Sequence, residues 1–117
     1  MSVRIKRAYE APSAADGYRV LIDRLWPRGR RKQDLQLDAW LKDLAPSSEL
    51  RTWFGHDPSR WTEFQRKYRR ELRRESSQEA LRDLARRAKR GRVTLVFAAK
   101  DVEHNDAVAL KAIIERT

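Results

Sequence analysis

The stretch GYRVLIDRLWPRG, residues 17–29, predicts a buried strand that ends in a rigid, charged turn. Its segment Tyr18 to Leu25 is rich in aliphatic residues and poor in strong helix formers, which is typical of a mostly buried strand. Asp23 lies near the carboxyl end, where Pro27 and Gly29 then restrict the path of the backbone. Open α/β sheets bind their ligands at the carboxyl ends of strands. The stretch therefore predicts a fold and a place for a site.

A second strand that ends in charge is predicted at Val93 to Ala99, VTLVFAA. Its continuous apolar character is typical of a strand covered on both faces, so we expect it at the centre of the sheet. Lys100 and Asp101 follow it directly. Near the start of the chain, Val3 and Ile5 alternate with basic residues, which predicts a short edge or near-edge strand. The sequence leaves the direction of that first strand open.

Apolar spacing and capping residues predict five helices. They are expected at Leu35 to Leu44 with Asp38 as the cap, after Ser47, after Asp57 and Pro58, after a capping box of Ser76 and Glu79, and from Asn105 or Asp106 onward. The order of strands and helices predicts an α/β fold, a small three-layer domain with helices on both faces. Its central sheet is expected to be short and mainly parallel, with about three strands.

Length and composition narrow the function classes. We expect a single domain, residues 1–117, because no linker or repeat interrupts the chain. The absence of cysteine excludes thiol phosphatase and rhodanese-like chemistry, disulfides and cysteine-ligated zinc. The two histidines, His56 and His104, are too far apart to predict a metal centre by spacing, and no motif predicts a cofactor. No membrane-spanning run or export signal is seen, so a cytoplasmic protein is expected.

The net charge of +10 is concentrated in one segment. Residues 60–92 contain thirteen Lys or Arg against five Asp or Glu, and the rest of the chain is nearly balanced. This segment fits either a solvated helical surface or a site for nucleic acid or another polyanion. The candidate contacts are Arg66, Arg70, Arg73, Arg86, Arg87 and Arg90. Because no recognition motif accompanies the charge, we expect weak, unspecific binding at most.

Four motifs follow one another along the chain: DRLWPRG at 23–29, LAPS at 44–47, HDP at 56–58 before a series of spaced aromatic residues, and AAKD with HN at 98–105. Together they resemble the YeaO-like branch of a widespread bacterial domain family of unknown function, over nearly the whole chain. The resemblance implies a compact three-layer α/β domain without an established activity. In the broader family it also implies cysteines near the last strand and helix, where this chain has Ala98 or Ala99 and Asn105. The resemblance thus gives no support for thiol chemistry here.

If the two central strands are parallel, their charged ends meet at one edge of the sheet. The predicted ligand-binding residues there are Arg24, Arg28, Lys100 and Asn105, and the predicted catalytic residues are Asp23, Asp101 and His104. Arginine, lysine and helix N-terminal amides favour a phosphate or carboxylate. Two aspartates serve as base and acid when burial or mutual repulsion separates their pKa values. The same groups fit equally well an ion-pair network that only stabilises the fold, with Asp23 bound to Arg24 or Arg28, and Asp101 to Lys100.

Three functions therefore stay open at the level of sequence. The first is a domain that binds a small anionic metabolite or nucleotide, with or without enzymatic activity. The second is a nucleic-acid-binding accessory protein, and the third is a structural or regulatory partner protein. Neither a substrate nor an oligomeric state follows from the sequence.

Overall fold

The computed structural model describes residues 2–117 around a parallel sheet of four strands in the order β1-β4-β2-β3. The strands are β1 (Ser2–Arg7), β2 (Tyr18–Leu21), β3 (Ala39–Trp40) and β4 (Arg92–Phe97). The helices are α1 (Lys32–Leu35), α2 (Ser48–Phe54), α3 (Trp61–Glu71), α4 (Glu75–Arg90) and α5 (Asp106–Glu115), and 3₁₀ turns cover Ala14–Asp16, Lys42–Leu44 and Pro58–Arg60. The predicted α/β class with a parallel sheet is confirmed. No helix within residues 2–117 has the length and apolarity needed to cross a membrane.

The two central strands, β2 and β4, are parallel neighbours as predicted, with Tyr18 opposite Val93 and Leu21 opposite Val96. The first strand, β1, also runs parallel to β4 and forms one edge of the sheet. The short connection from β1 to β2 depends on Gly17, which has a φ of 65° and whose Cβ, if present, would lie 2.3 Å from the carbonyl oxygen of Arg92. All four carboxyl ends therefore point to one edge of the sheet.

One face of the sheet carries the main core. Val20, Leu95 and Phe97 of the central strands are buried against α2 to α5, where Tyr68 and Leu110 are also fully buried. The spaced aromatic residues after the HDP motif belong to this cluster, with Phe64 and Tyr68 buried and Trp61 packed against them. Full burial of each large apolar side chain stabilises the fold by roughly 1.5 to 3 kcal/mol.

The other face carries a small apolar cluster beside a polar one. Near the carboxyl ends, Leu21 and Val96 are buried against Leu35 of the one-turn helix α1, with Trp26 and Trp40 packed around them. This layer contains a single helical turn and the turn after β2. It completes the expected arrangement of helices on both faces.

Towards the amino ends, that second face contains what we call the buried polar cluster: Lys6, Asp16, Arg19 and Thr94. Asp16 accepts from Lys6 Nζ at 3.0 Å and from Arg19 Nη1 at 2.7 Å, and its carbonyl accepts from the Thr94 hydroxyl. Burial on its own raises the pKa of Asp16, but hydrogen bonds from Lys6, the Ser13 amide and Arg19 outweigh it and lower the pKa below its usual value.

The predicted helix at Leu35 to Leu44 is wrong. The segment instead forms the end of α1, the strand β3 and a 3₁₀ turn. Asp38, expected as a helix cap, accepts the Arg19 amide at 2.8 Å and donates its own amide to the Arg19 carbonyl. The backbone of this segment therefore bonds to the free edge of β2 in place of forming helical hydrogen bonds. Pairing with a distant strand outweighs the local helical spacing.

Three smaller predictions also need correction. The strand predicted to extend to Leu25 ends at Leu21, and the strand predicted to extend to Ala99 ends at Phe97. Helix α4 begins at Glu75, without the capping box expected of Ser76 and Glu79. The neighbouring Ser77 is buried and its hydroxyl donates to the Asp43 carbonyl, because the helix start is packed against the turn before α2.

Candidate functional site

A cavity of about 750 Å³ opens at the carboxyl edge of the sheet. Its wall contains all seven residues predicted for the site: Asp23, Arg24, Arg28, Lys100, Asp101, His104 and Asn105. They meet there because β2 and β4 are adjacent and parallel, so that the segments after the two strands leave the sheet side by side. A cavity of this size falls in the range of roughly 300 to 1,000 Å³ that is typical of small-molecule sites.

Asp23 is held in place by both neighbouring strands. Its Oδ2 accepts from the Ala98 amide at 2.9 Å, and its carbonyl accepts from Trp40 Nε1 at 2.7 Å. The turn that follows is equally constrained, since Trp26 Nε1 donates to the Arg30 carbonyl at 2.6 Å and Pro27 is buried. Trp26 also packs edge-on against Trp40 at 5.4 Å between ring centroids. The rigid turn predicted from the sequence is thus built from indole hydrogen bonds as well as from proline.

The basic side chains of the cavity are not consumed by ion pairs. Arg24 donates from Nε to the Pro46 carbonyl at 3.3 Å, while Arg28 and Lys100 are exposed. Helix α2 adds Arg51, a residue outside the predicted set. Within residues 2–117, none of these four cations lies within 4.0 Å of a carboxylate oxygen. The ion pairs expected of a purely structural network at this edge are therefore not formed.

Asp101 and His104 form a bonded pair in the loop between β4 and α5. Oδ2 of Asp101 lies 3.0 Å from His104 Nδ1, and its Oδ1 accepts from the amides of Glu103 and His104. The Glu103 amide, followed by the His104 ring, lowers the pKa of Asp101 below its usual value. Trp61 packs edge-on against the His104 ring at 5.4 Å, which fixes the orientation of the imidazole.

Asn105 forms the cap of α5, one of the two starts that the sequence predicted for this helix. Its Oδ1 accepts from the Val108 amide at 2.9 Å, its Nδ2 donates to the Asp101 carbonyl at 2.8 Å, and only 3% of the residue is exposed. Both polar atoms of the side chain are thus engaged inside the protein. Its role at the cavity is to hold the start of α5 against the loop after β4.

Asp106 is the main cavity residue that the sequence did not indicate as part of the site. It lines the same cavity as Asp23 and lies close to it. Burial, then the negative charge of Asp23, then their mutual hydrogen bond raise the pKa of Asp106 well above its usual value. Acidic residues are common at the first position of a helix. The sequence therefore gave no reason to place Asp106 next to Asp23.

Aromatic side chains form the apolar part of the wall. Phe54 and Phe64 pack against each other with ring centroids 4.5 Å apart, and Trp26 faces the same cavity. At the rim stands Tyr9, 41% exposed, whose hydroxyl donates to the Arg28 carbonyl at 2.9 Å. His56, which the sequence places in a turn, also lines the cavity, and its own φ is 57°. The cavity thus combines cations, carboxyl groups and flat apolar surfaces.

The six arginines of the alternative nucleic-acid surface lie on α3, on α4 and in the turn between them, and all are exposed: Arg66, Arg70, Arg73, Arg86, Arg87 and Arg90. None of them lines the cavity. Three are paired with acids of their own helix, Arg66 with Glu63, and Arg86 and Arg87 with Asp83 at 3.5 and 2.9 Å. This surface is therefore partly neutralised by local ion pairs. In residues 2–117, no group of three or more His, Asp or Glu side chains is arranged to hold a metal ion.

The fold and the cavity define the class: a parallel-sheet α/β domain with a ligand-sized cavity at the carboxyl edge of its strands. The chain belongs to the family described as the Inactive DUF488-N3 subclade, whose model matches residues 2–117. The resemblance to YeaO-like proteins is confirmed, because the uncharacterized protein YeaO of Escherichia coli is 43% identical over 110 residues, 94% of each chain. The uncharacterized protein Rv3073c of Mycobacterium tuberculosis is 42% identical over 112 residues, 96% of this chain and 92% of that protein. No solved structure gives a significant match.

Proposed function

We propose that this protein binds a small anionic ligand, a phosphate or carboxylate joined to an apolar or aromatic group, in the cavity at the carboxyl edge of the sheet. One observation carries the proposal: four basic side chains face one cavity, and within residues 2–117 none is paired with a carboxylate. They are Arg24, Arg28, Arg51 and Lys100. Unpaired cations that converge on a cavity favour an anion.

The carboxyl groups of the cavity do not cancel this positive charge. Asp101 is already bonded to His104 and to two backbone amides. Asp23, Asp101 and Asp106 contribute at most three negative charges to the cavity, and the raised pKa of Asp106 acts to lower that number. Four cations therefore leave the cavity positive.

The aromatic wall defines the other half of the proposed ligand. Trp26, Phe54 and Phe64 line the part of the cavity suited to an apolar or aromatic group, while Arg28 and Lys100 at the opening offer charge-assisted hydrogen bonds. Such bonds contribute about 1.5 to 3 kcal/mol each. Two or three of them, less the cost of association, correspond to dissociation constants in roughly the micromolar to millimolar range.

Acid–base catalysis is a second candidate, favoured by the Asp101–His104 pair. Asp101, whose pKa is lowered, orients His104 as a base, and Asp106, whose pKa is raised, is suited to act as an acid. The description of the family as inactive argues against this candidate and for binding alone. Hydrolysis of p-nitrophenyl phosphate that is lost in His104→Gln supports the second candidate. Binding without turnover supports the first.

The decisive experiment is isothermal titration of phenyl phosphate and of a naphthalenesulfonate into the wild type and the double variant Arg28→Ala, Lys100→Ala. Each lost charge-assisted bond lowers affinity by about tenfold or more. We therefore expect a clear loss of affinity with nearly unchanged thermal stability. Arg116→Ala is the matched control, since Arg116 is exposed and outside the cavity. Equal affinity in the wild type and the double variant would contradict the proposal.

A further inference from the structure

We infer that anion binding in this cavity is coupled to a proton held between Asp23 and Asp106. The cavity takes its ligand while the two carboxyl groups share that proton, and it loses affinity when both are ionised. This inference rests on the proposed function, because it concerns the regulation of the same site.

The first argument is the fixed position of the two carboxyl groups. Asp23 is tied to β4 through the Ala98 amide and to β3 through Trp40 Nε1. Asp106 is the first residue of α5, directly after the buried cap Asn105, and lines the same cavity as Asp23. The backbone positions of both residues are therefore set by the sheet and by the start of α5, on the wall of one cavity. A second negative charge on the pair must therefore be tolerated in place.

The second argument is that no cation neutralises the pair. In the described part of the chain, no Lys, Arg or His nitrogen lies within 4.0 Å of either carboxyl group. The charged and titratable groups around it come from every neighbouring element: Arg24 and Arg28 from the turn after β2, Arg51 and His56 from the end of α2, Tyr68 and Glu71 from α3, and Lys100, Asp101 and His104 from the loop before α5.

The charge of the pair also affects the pKa of the nearby residue Tyr68. Burial is the main cause that raises the pKa of the Tyr68 phenol well above its usual value, and the negative charges of Asp106, Asp23 and Glu71 add to it. Tyr68 donates to the Leu44 carbonyl and stays neutral, and Glu71 is occupied by Ser47. Neither Tyr68 nor Glu71 neutralises the negative charge of the pair. The Ala98 amide contacts Asp23 but carries no net charge, so a proton shared by Asp23 and Asp106 is what lowers the repulsion between the two carboxyl groups.

Ionisation of the pair must weaken an anion bound in the same cavity. At separations of several ångströms and with the effective dielectric of a protein surface, one added negative charge weakens binding by about tenfold or more. By linkage, the bound anion must also favour the protonated pair to the same extent. The coupling thus has two independent readouts, one on the ligand and one on the carboxyl groups.

The test measures the affinity of a naphthalenesulfonate from about pH 5 to about pH 9, where the sulfonate keeps its negative charge and an aspartate of ordinary pKa is already ionised. We expect wild-type affinity to fall with rising pH about tenfold more than that of Asp106→Asn. The comparison between the two proteins is the relevant quantity, because both proteins keep every other titratable group of the cavity. Asp43→Asn, which removes an exposed carboxylate outside the cavity, is the control and keeps the wild-type profile.

A measurement on the wild type alone covers the case in which Asp106→Asn does not fold. Carbon-13 NMR of the Asp23 and Asp106 carboxyl groups gives their apparent pKa values with and without saturating naphthalenesulfonate. A rise in the apparent pKa values of the pair on binding supports the coupling, and unchanged apparent pKa values overturn it. Binding that depends on Arg28 and Lys100 but has the same pH profile in the wild type and Asp106→Asn overturns only the coupling. Absence of binding at every pH overturns the proposed function itself.

Discussion

The buried polar cluster and the cavity at the carboxyl edge contain similar residue types and use them in opposite ways. In the cluster, Asp16 is 2% exposed and bonds to both Lys6 and Arg19, so each of these charges has an ionic partner. In the cavity, Arg28 and Lys100 are exposed and make no ion pair within residues 2–117. The two regions lie on the same sheet and differ in what surrounds the charges.

The difference follows from the cost of removing charge from water. A buried ion is tolerated only with partners, and removal of one partner leaves the other uncompensated. A charge at an open cavity keeps part of its hydration and needs no internal partner, so it stays available to a ligand. We therefore expect substitutions in the cluster to lower stability and substitutions at the cavity to lower binding.

The largest expected effect is that of Asp16→Ala in the buried polar cluster. The substitution leaves the Arg19 guanidinium buried without its carboxylate, which should lower the free energy of unfolding by about 3 to 5 kcal/mol. Urea denaturation measures the change. Glu115→Ala, which breaks the exposed pair with Lys111, is the matched control and should stay within about 0.5 kcal/mol of the wild type. A loss as small as that of the control would show that the cluster does not stabilise the fold.

The pH dependence of that contribution has a defined sign. The pKa of Asp16 is lowered by folding, so its stabilisation is fully present above the unfolded value of about 3.9. It is lost as the pH falls through the lower pKa of the folded state.

Asp106→Asn should show the opposite dependence on pH. The pKa of Asp106 is raised by folding, so the native state holds a proton that the unfolded state releases above about pH 4. Wild-type stability then decreases as the pH rises from that value to the folded pKa, by about 1.4 kcal/mol for each unit between the two pKa values. Urea titrations across this range should find a flatter profile in Asp106→Asn. Parallel profiles in both proteins would contradict the raised pKa.

Arg28→Ala at the cavity should change stability least among these single substitutions. The Arg28 side chain makes no hydrogen bond or ion pair within residues 2–117, and only its backbone carbonyl is used, by Tyr9. We expect the free energy of unfolding to change by less than about 0.5 kcal/mol in thermal and urea denaturation. A large loss of stability would place Arg28 in the same structural role as Arg19 and would remove the contrast between the two regions.

The smallest effect is expected for nucleic acid. Half of the arginines proposed for that surface are already paired on α3 and α4, and Arg87 also stacks 4.0 Å above the Tyr18 ring. Filter binding should detect weak, salt-sensitive retention of DNA or RNA at most, reduced further in Arg70→Glu, Arg73→Glu. Tight binding at physiological salt would make α3 and α4 the principal site in place of the cavity.

Much of the fold was determined by the sequence alone. The central strands were predicted because continuous apolar runs fit a doubly covered parallel sheet, and the helix caps at Ser47, Asp57 and Asn105 were predicted because capping depends on nearby backbone amides. All seven predicted residues line one cavity. This could be predicted because the carboxyl ends of two parallel strands meet at one edge of the sheet, and the sequence was enough to predict the direction of both strands.

Only the tertiary structure decided the rest. The segment around Asp38 has helical spacing, yet it pairs with β2 because an open strand edge competes for its hydrogen bonds. The pairing of Asp23 with Asp106, and with it the charge of the cavity, depends on where α5 meets the sheet. Local spacing sets the periodicity of a strand or helix, but contacts between residues distant in the chain depend on how the layers pack. For that reason the sequence indicated the edge of the sheet that holds the site, and the packing of α5 decided which charges there are neutralised.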